Sequence, residues 1–273
     1  MPTLANHQSN LYTKLLLEGD SGSGKTGALT SLVAAGYSLR ILDMDNGLET
    51  LKTYVSKECP ANLNNVEYRT LRDKYKSSAA GPIIDGQTRA FVDALKLLDR
   101  WKYDDVDLGK PAEWGEKVIL VLDSLTFFSD AAFAWAQSLN SGAKDPRQWY
   151  GAAQDGVEKV LALLTSASFE SNVVVISHIK YMDTPEGTKG YPTAVGSALS
   201  PVIPRYFNSV AMCRTKANGA RMIQTATTGT VDLKNPKPFN MEKEYPISTG
   251  LADFFSVLRE PPTQTKPILR KVK

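Results

Sequence analysis

The sequence predicts an α/β fold of three layers, in which a mostly parallel, twisted sheet lies between helices and an antiparallel hairpin forms one edge. Short, uninterrupted apolar runs alternate with segments of helical periodicity, which is typical of parallel strands that are buried on both faces. Near the C-terminal end, two β-rich runs at 209–215 and 221–228 flank Asn218-Gly219. This dipeptide is a strong signal for a hairpin.

The predicted elements follow one another along the chain. Apolar runs predict strands at 13–19, 39–45, 66–71, 117–124 and 172–179. Helical periodicity predicts helices at 25–36, 87–102, 125–140, 146–167 and 249–260. We expect Gly36 to end the first helix and Thr249 to cap the start of the last one.

Composition indicates one large domain with short tails. The 273 residues carry a net charge of +3 and are 42% hydrophobic and 22% charged, an ordinary composition for a globular protein. We expect an N-terminal arm at 1–11, a core at 12–258 with a mobile loop at 180–204, and a basic, proline-rich tail at 259–273. The small net charge does not by itself indicate a nucleic acid or a membrane surface.

The cysteines and the N-terminus bear on the compartment. Cys59 and Cys213 lie far apart, with no metal-ligand spacing around either, as expected of thiols in a reducing compartment. The N-terminus lacks the basic start and the apolar core of a signal peptide. No apolar run approaches the roughly 20 residues of a membrane-spanning helix. We therefore expect a cytoplasmic protein without a membrane partner.

A glycine-rich segment between the first strand and the first helix carries the clearest chemistry. Its pattern is Gly-x-x-x-x-Gly-Lys-Thr, the Walker A signature, and backbone N–H groups in such a loop surround phosphate oxygens. Lys25 would contact the β- and γ-phosphates of ATP, and the Thr26 hydroxyl would bind Mg²⁺. The predicted nucleotide-binding residues are Gly19, Asp20, Ser21, Gly22, Ser23, Gly24, Lys25, Thr26 and Gly27.

Two further strand ends carry acidic residues. Asp123 follows the most apolar strand and is the expected Walker B aspartate, which would hold Mg²⁺ together with Thr26. Asp43 and Asp45 end the second strand, and ligands of open α/β sheets bind at the carboxyl ends of the strands. Ser124 follows Asp123 where many motor ATPases have a catalytic glutamate, so the general base must come from elsewhere. The residues alone leave Asp43 and Asp45 as alternatives for that role.

This order of motifs resembles the RecA-like ATPase core, and it is similar to short phage-encoded ATPases that act in recombination or single-strand annealing. The resemblance covers residues 12–258. It implies that Asp45, one methylene shorter than the family's glutamate, is the catalytic base, and that His178 senses the γ-phosphate. Lys25, Asp45, Asp123 and His178 would then form the catalytic set. A phage-encoded protein of this kind would act in the host cytoplasm.

The resemblance also implies two kinds of macromolecular contact. The loop at 180–204 would bind single-stranded DNA, with lysines along the backbone and tyrosines stacked on bases. The DNA-binding candidates are Lys180, Tyr181, Lys189, Tyr191 and Arg205. ATP would lie at the interfaces of a homo-oligomer, where Lys234 and Lys237 would reach the γ-phosphate of a neighbour. A solvated lysine turn around Pro236 is the alternative, and Arg205 and Arg214 are weaker candidates for the same role.

These inferences predict a Mg²⁺-dependent ATP hydrolase, slow or stimulated by DNA, that binds single-stranded DNA in phage-type recombination or annealing. Two alternatives remain. A nucleotide-gated scaffold with little turnover would fit the replacement of glutamate by Asp45. A small-molecule phosphotransferase would need an arginine-bearing lid, but the loops at 74–86 and 103–116 contain no arginine.

Overall fold

The computed structural model describes residues 11–260. The strands of the main sheet are β1 (Lys14–Gly19), β2 (Ser38–Asp43), β3 (Val66–Thr70), β8 (Gly115–Asp123), β9 (Ser171–Thr184), β10 (Gly187–Pro192), β11 (Ser209–Thr215), β12 (Arg221–Gln224) and β13 (Glu244–Pro246). Two small hairpins are formed by β4 (Tyr75–Lys76) with β5 (Ile83–Ile84) and by β6 (Lys102–Tyr103) with β7 (Val106–Asp107). The helices are α1 (Lys25–Ala34), α2 (Glu49–Glu58), α3 (Ala90–Asp99), α4 (Leu125–Leu139), α5 (Arg147–Thr165) and α6 (Gly250–Arg259).

The main sheet has the strand order β13-β12-β11-β1-β9-β8-β2-β3, with β10 paired to the outer part of β9. The pairs from β11 to β3 are parallel. At one edge β12 and β13 are antiparallel, and the predicted Asn218-Gly219 turn joins β11 to β12. The predicted three-layer, RecA-like α/β fold with an antiparallel hairpin at one edge is therefore confirmed.

Two hydrophobic cores cover the faces of the sheet. Leu16 of β1 packs into the core that contains Phe128 of α4 and Val157 of α5. Leu15 and Leu17 point the other way, into the core formed with α1, α2 and α6. Because successive side chains of a strand alternate between faces, a strand covered on both sides is apolar at most consecutive positions; the buried exception in β1 is Glu18. This explains the uninterrupted apolar runs of the sequence.

The topology brings the polar strand ends together. Gly19 at the end of β1 lies beside His178 of β9, and Asp43 at the end of β2 lies beside Asp123 at the end of β8. All four residues lie toward the carboxyl edge of the parallel strands, where the connections to helices leave an open crevice. The fold therefore places every strand-end candidate at one edge.

Helix ends agree with the sequence in part. Gly36 has φ +85° just after α1 and its N–H donates to Val33 O, as expected of a helix terminator. Thr249 precedes α6, but its side chain makes no capping hydrogen bond. Helix α2 was not predicted, because only Leu51 and Val55 of its ten residues are buried, which is too few to produce a periodic signal.

The predicted mobile loop at 180–204 is largely a β-hairpin. Strand β9 continues past Ile179 to Thr184 and pairs with β10 in antiparallel register, and Gly190 N–H donates to Thr230 O. This part of β9 extends beyond the covered sheet and carries polar residues on both faces, so it lacks the apolar pattern that predicts strands. Residues 180–192 of the predicted loop are therefore strand residues of a hairpin and its turn, while the mobility of this segment stays a prediction.

The predicted domain boundaries are only partly covered by the described residues. Helix α6 ends at Arg259, one residue beyond the predicted end of the core. The predicted arm and tail lie outside the described residues, apart from Leu11 and residues 259–260. Between Leu11 and Glu260, no helix combines the length and the apolar character that crossing a bilayer requires.

Candidate nucleotide site

The glycine-rich loop joins β1 directly to α1. Ser23 N–H donates to Asp20 O and closes a turn, and Gly24 has φ +96° immediately before the helix. A Cβ at Gly24 would lie 2.6 Å from Ile247 Cδ1 and 3.0 Å from Arg221 Cδ. Only glycine combines this conformation with such close neighbours. The backbone of this loop can therefore present its N–H groups to an anion at the start of α1.

Lys25 is the first residue of α1 and is buried. Its Nζ donates to Gly19 O at 2.8 Å and to Asp20 O at 2.9 Å. Burial lowers the pKa of Lys25, and the nearby carboxylates of Asp123 and Asp45 oppose that shift. The ammonium is thus held at the floor of the loop, where it would meet phosphate oxygens.

Thr26 and Asp123 lie together, as the metal prediction requires. Thr26 Oγ1 donates to Asp123 Oδ2 at 2.7 Å, and burial raises the pKa of Asp123 to about 7. No group of three or more His, Cys, Asp or Glu residues between Leu11 and Glu260 is arranged to hold a metal ion. Mg²⁺ needs fewer protein ligands, because it is usually bound by one or two protein oxygens together with substrate phosphates. The hydroxyl and carboxylate of this pair fit that ion.

The structure places Asp43 and Asp45 in different surroundings. Strand β2 ends at Asp43, which accepts hydrogen bonds from Thr70 Oγ1 at 2.7 Å and Gly47 N–H at 3.3 Å. Asp45 instead accepts from both the N–H and the hydroxyl of Ser124, at 2.9 and 2.8 Å. Burial raises the pKa of Asp45, an effect that these hydrogen bonds partly offset. Asp45 therefore lies beside Asp123 and the phosphate loop, and Asp43 supports the loop behind it.

His178 lies at the other side of the crevice. Its backbone N–H donates to Thr126 Oγ1 at 3.1 Å, and its Nδ1 lies 3.2 Å from the same hydroxyl. Burial and the charge of Lys25 lower the pKa of His178. The imidazole is thus oriented by α4 and faces the same cavity as Asp45.

These groups line a cavity of about 200 Å³. Its walls are Gly22, Gly24, Lys25, Thr26, Gly27, Asp45, Gly47, Thr50, Asp123, His178 and Arg221. All four residues of the predicted catalytic set lie among them, whereas Asp43 lines a separate groove. Of the predicted nucleotide-binding residues, Gly19, Asp20, Ser21 and Ser23 do not line the cavity.

Sequence reasoning missed three cavity residues, Gly47, Thr50 and Arg221. Arg221 is the only cation among them. It is the first residue of β12 and pairs with Thr215 of β11. The only signal for Arg221 in the sequence was the predicted hairpin. The first residue of the second hairpin strand must lie near the carboxyl end of the first hairpin strand, β11. The sequence contains no motif that marks this arginine.

The predicted DNA residues lie on the β9–β10 hairpin, with one exception. Tyr181 is 51% exposed, Lys180 Nζ donates to Gly196 O at 3.0 Å, and Lys189 pairs with Asp232 at 3.1 Å. Tyr191 lies opposite Lys180 in the hairpin register. Arg205 lies four residues before β11 begins beside Leu15, toward the opposite edge of the sheet. The structure therefore does not bring Arg205 together with the other four. Of those four, Lys180, Lys189 and Tyr191 share one face of the hairpin, and Tyr181 lies on the other face.

The predicted trans-acting lysines lie away from the cavity of their own chain. Lys234 is bridged to Val210 of β11 through backbone hydrogen bonds. Lys237 Nζ donates to Val257 O and Glu260 O near the end of α6. The weaker candidate Arg214 pairs with Glu244, which also pairs with Lys216. Of these side chains, only that of Lys234 makes no ion pair or hydrogen bond within residues 11–260.

The fold and the cavity define a P-loop ATPase domain with a RecA-like core, a class of protein that binds nucleotides. A protein-family profile described as an AAA domain matches residues 11–236. The chain therefore belongs to the AAA domain family.

Two solved structures show a wider likeness. A RadB recombinase is 14% identical, with a TM-score of 0.45, over 87% of this chain and 89% of that chain. An ATPase from the type III secretion system of pathogenic bacteria is 13% identical, with a TM-score of 0.45, over 76% of this chain and 53% of that chain. No curated protein matches the sequence.

Proposed function

We propose that this protein is a Mg²⁺-dependent ATP hydrolase that binds single-stranded DNA in its ATP state and supports phage-type recombination or annealing. The observation that carries the proposal is the continuity of β9. One unbroken strand passes from the covered sheet through His178, which faces the nucleotide cavity, into the exposed β9–β10 hairpin. A change at the γ-phosphate would therefore act on the hairpin through a single strand.

The hairpin has the side chains that single-stranded nucleic acid requires. Tyr191 offers an aromatic face for base stacking on the same side of the hairpin as Lys180 and Lys189, whose charges suit the nucleic-acid backbone. Tyr181 offers a second aromatic face on the other side of the hairpin. Lys180 donates to the Gly196 carbonyl and Lys189 pairs with Asp232. DNA would have to displace both of these partners to bind the two ammonium groups. Arg205 is not part of this surface, because it lies toward the opposite edge of the sheet.

Each residue of the catalytic set has a separate role in hydrolysis. Mg²⁺, held by Thr26 and Asp123, would neutralise charge on the β- and γ-phosphates. Asp45 would take a proton from the attacking water, whose oxygen bonds to the γ-phosphorus as the bond to the β–γ bridging oxygen breaks. The raised pKa of Asp45 makes it a stronger base than an exposed aspartate. The products are ADP and phosphate, and His178 would report the loss of the γ-phosphate.

The oligomer is part of the same proposal. ATP would lie between subunits, and Lys234 would contact the γ-phosphate of a neighbour, because the residue is exposed and its ammonium has no partner within residues 11–260. Lys237 would have to leave two carbonyl groups of its own chain to do the same. Lys234 is therefore the stronger candidate of the two.

The test is the affinity for a labelled single-stranded oligonucleotide, measured by fluorescence anisotropy. We expect tighter binding with a non-hydrolysable ATP analogue than with ADP. Tyr181→Ala should weaken binding by about 1–3 kcal/mol if a base stacks there, whereas Tyr75→Ala, an exposed tyrosine of β4, should not. Equal affinity in the two nucleotide states would refute the coupling between the cavity and the hairpin.

One observation favours a second candidate function. A groove of about 610 Å³ lies beside Asp43, between α2 and β3, and it could hold the acceptor of a phosphotransferase. Turnover that is independent of DNA and requires a small-molecule acceptor would support this function. Stimulation by single-stranded DNA would support the first, and nucleotide binding without turnover would support a scaffold.

A further inference from the structure

Arg221 is fixed beside the phosphate loop by its backbone. It pairs with Thr215 in the β11–β12 hairpin, and its carbonyl accepts from Ile247 N–H at 3.1 Å. Strand β11 in turn pairs with β1 up to Gly19, where the phosphate loop begins. Sheet hydrogen bonds on both sides therefore hold the backbone of Arg221 at the carboxyl edge of the parallel strands.

The side chain runs along the loop and ends at a tyrosine. Its Cδ lies 3.0 Å from where a Cβ of Gly24 would be, and its Nη1 donates to Tyr54 Oη at 3.3 Å. Arg221 makes no ion pair within residues 11–260, in contrast to Arg100 and Arg147, which pair with Asp107 and Asp145. An arginine at a phosphate cavity with no carboxylate partner keeps its full charge available for an anion.

The cavity residues would contact different parts of a bound nucleotide. Asp45, Asp123 and His178 mark the end where the γ-phosphate and the metal would lie. Arg221 approaches Gly24 instead, and it also lines a second cavity of about 100 Å³ with Gly24, Gly27 and Tyr54. In a bound nucleotide, the nucleoside would therefore lie closer to Arg221 than the γ-phosphate would.

We propose that Arg221 binds the α- and β-phosphates of the nucleotide from within the same chain, with Tyr54 as the residue that positions it. The proposal rests on the nucleotide site of the proposed function and is independent of DNA. Arg221 contributes charge to ATP and ADP alike, whereas the lysines proposed to act from a neighbour serve the γ-phosphate alone. A single subunit therefore has two cations for the nucleotide, Lys25 and Arg221.

The test compares the dissociation constants of fluorescent ATP and ADP analogues. Arg221→Ala should weaken both nucleotides equally, by about 10- to 100-fold, as expected for the loss of a charge-assisted hydrogen bond. Arg221→Lys should restore part of this loss. Arg100→Ala, which removes an exposed arginine far from the cavity, should bind both nucleotides as the unmodified protein does.

The role of Tyr54 is tested by a double-mutant cycle. Tyr54→Phe keeps the ring that packs beside Gly27 but removes the acceptor hydroxyl, and should weaken both nucleotides by about threefold, at the low end for a neutral hydrogen bond. Because the hydroxyl acts through Arg221, the same change should have no effect in the Arg221→Ala background. Additive losses in the double variant would overturn the positioning role.

Two outcomes would overturn the proposal for Arg221. A control variant, Lys25→Ala, tests the nucleotide site independently of Arg221. Unchanged binding by Arg221→Ala, or a loss confined to ATP, would show that Arg221 does not contact the α- and β-phosphates. Lys25→Ala in the same assay should abolish tight binding of both nucleotides. If Lys25→Ala bound normally as well, the nucleotide site would be at fault rather than Arg221.

Discussion

Glu18 is a buried acid in the central strand, and we expect it to make the stability of the fold depend on pH. It is 1% exposed in β1, directly before the phosphate loop, and its Oε2 has no hydrogen-bond partner among the described residues. Glu18 points to the same face as Leu16, where Met212 and Ser177 flank it in register. Burial raises its pKa from 4.5 to about 8.

The sign and size of the effect follow from this shift. Below pH 4.5 the carboxyl is protonated in the folded and the unfolded chain, and its ionisation has no effect on stability. As the pH rises toward 8, the unfolded chain ionises while the folded chain keeps its proton, so the free energy of unfolding falls. At about 1.4 kcal/mol per pH unit, the full loss above pH 8 is roughly 5 kcal/mol, as an upper bound.

The perturbation is Glu18→Gln, which keeps the shape of the side chain and removes its ionisation. Urea unfolding, followed by circular dichroism without nucleotide at about pH 5.5 and pH 8.5, gives the free energy of unfolding of each protein. From about pH 5.5 to pH 8.5, the free energy of unfolding of the unmodified protein should fall by roughly 3 kcal/mol more than that of the variant. Asp123, whose pKa is also raised, to about 7, contributes equally to both proteins and cancels.

The control is Glu49→Gln, a change at an exposed glutamate of α2, which should leave the pH profile as it is. Parallel pH profiles of Glu18→Gln and the unmodified protein would refute the reasoning. They would mean that the buried carboxyl is solvated or paired in solution, and that its ionisation has little effect on the fold.

Three further predictions concern the site and the core. Asp45→Asn should lower phosphate release by about 100-fold or more while nucleotide binding is retained, and unchanged release would exclude Asp45 as the base. Gly24→Ala should destabilise the fold by about 1–3 kcal/mol in thermal unfolding because of its positive φ and its contact with Ile247; Gly142→Ala, which has open space around it, is the matched control. Phe254→Ala in α6 empties a fully buried position and should lower the free energy of unfolding by about 3–5 kcal/mol, and a loss below 1 kcal/mol would contradict the packing described for this helix.

The parts of the fold that were predictable are those with a local chemical signature. Strands covered on both faces contain runs of consecutive apolar residues, as Leu15, Leu16 and Leu17 show. The phosphate loop needs glycine where the backbone turns, as at Gly24. Helix α2 and the β9–β10 hairpin lacked such a signature, because most of their side chains face solvent and no apolar period distinguishes them from loops.

By itself, the sequence determined the three-layer fold, the phosphate loop and the set of acidic strand ends, because these depend on backbone conformation and on burial along a single segment. Tertiary structure decided which side chains share the cavity. Asp43 and Asp45 are nearly equivalent in sequence, but strand β2 ends between them, and Ser124 of another strand end holds Asp45 at the site. Arg221 reaches the phosphate loop only because β12 folds back along β11, so residues far apart in sequence meet at one edge of the sheet.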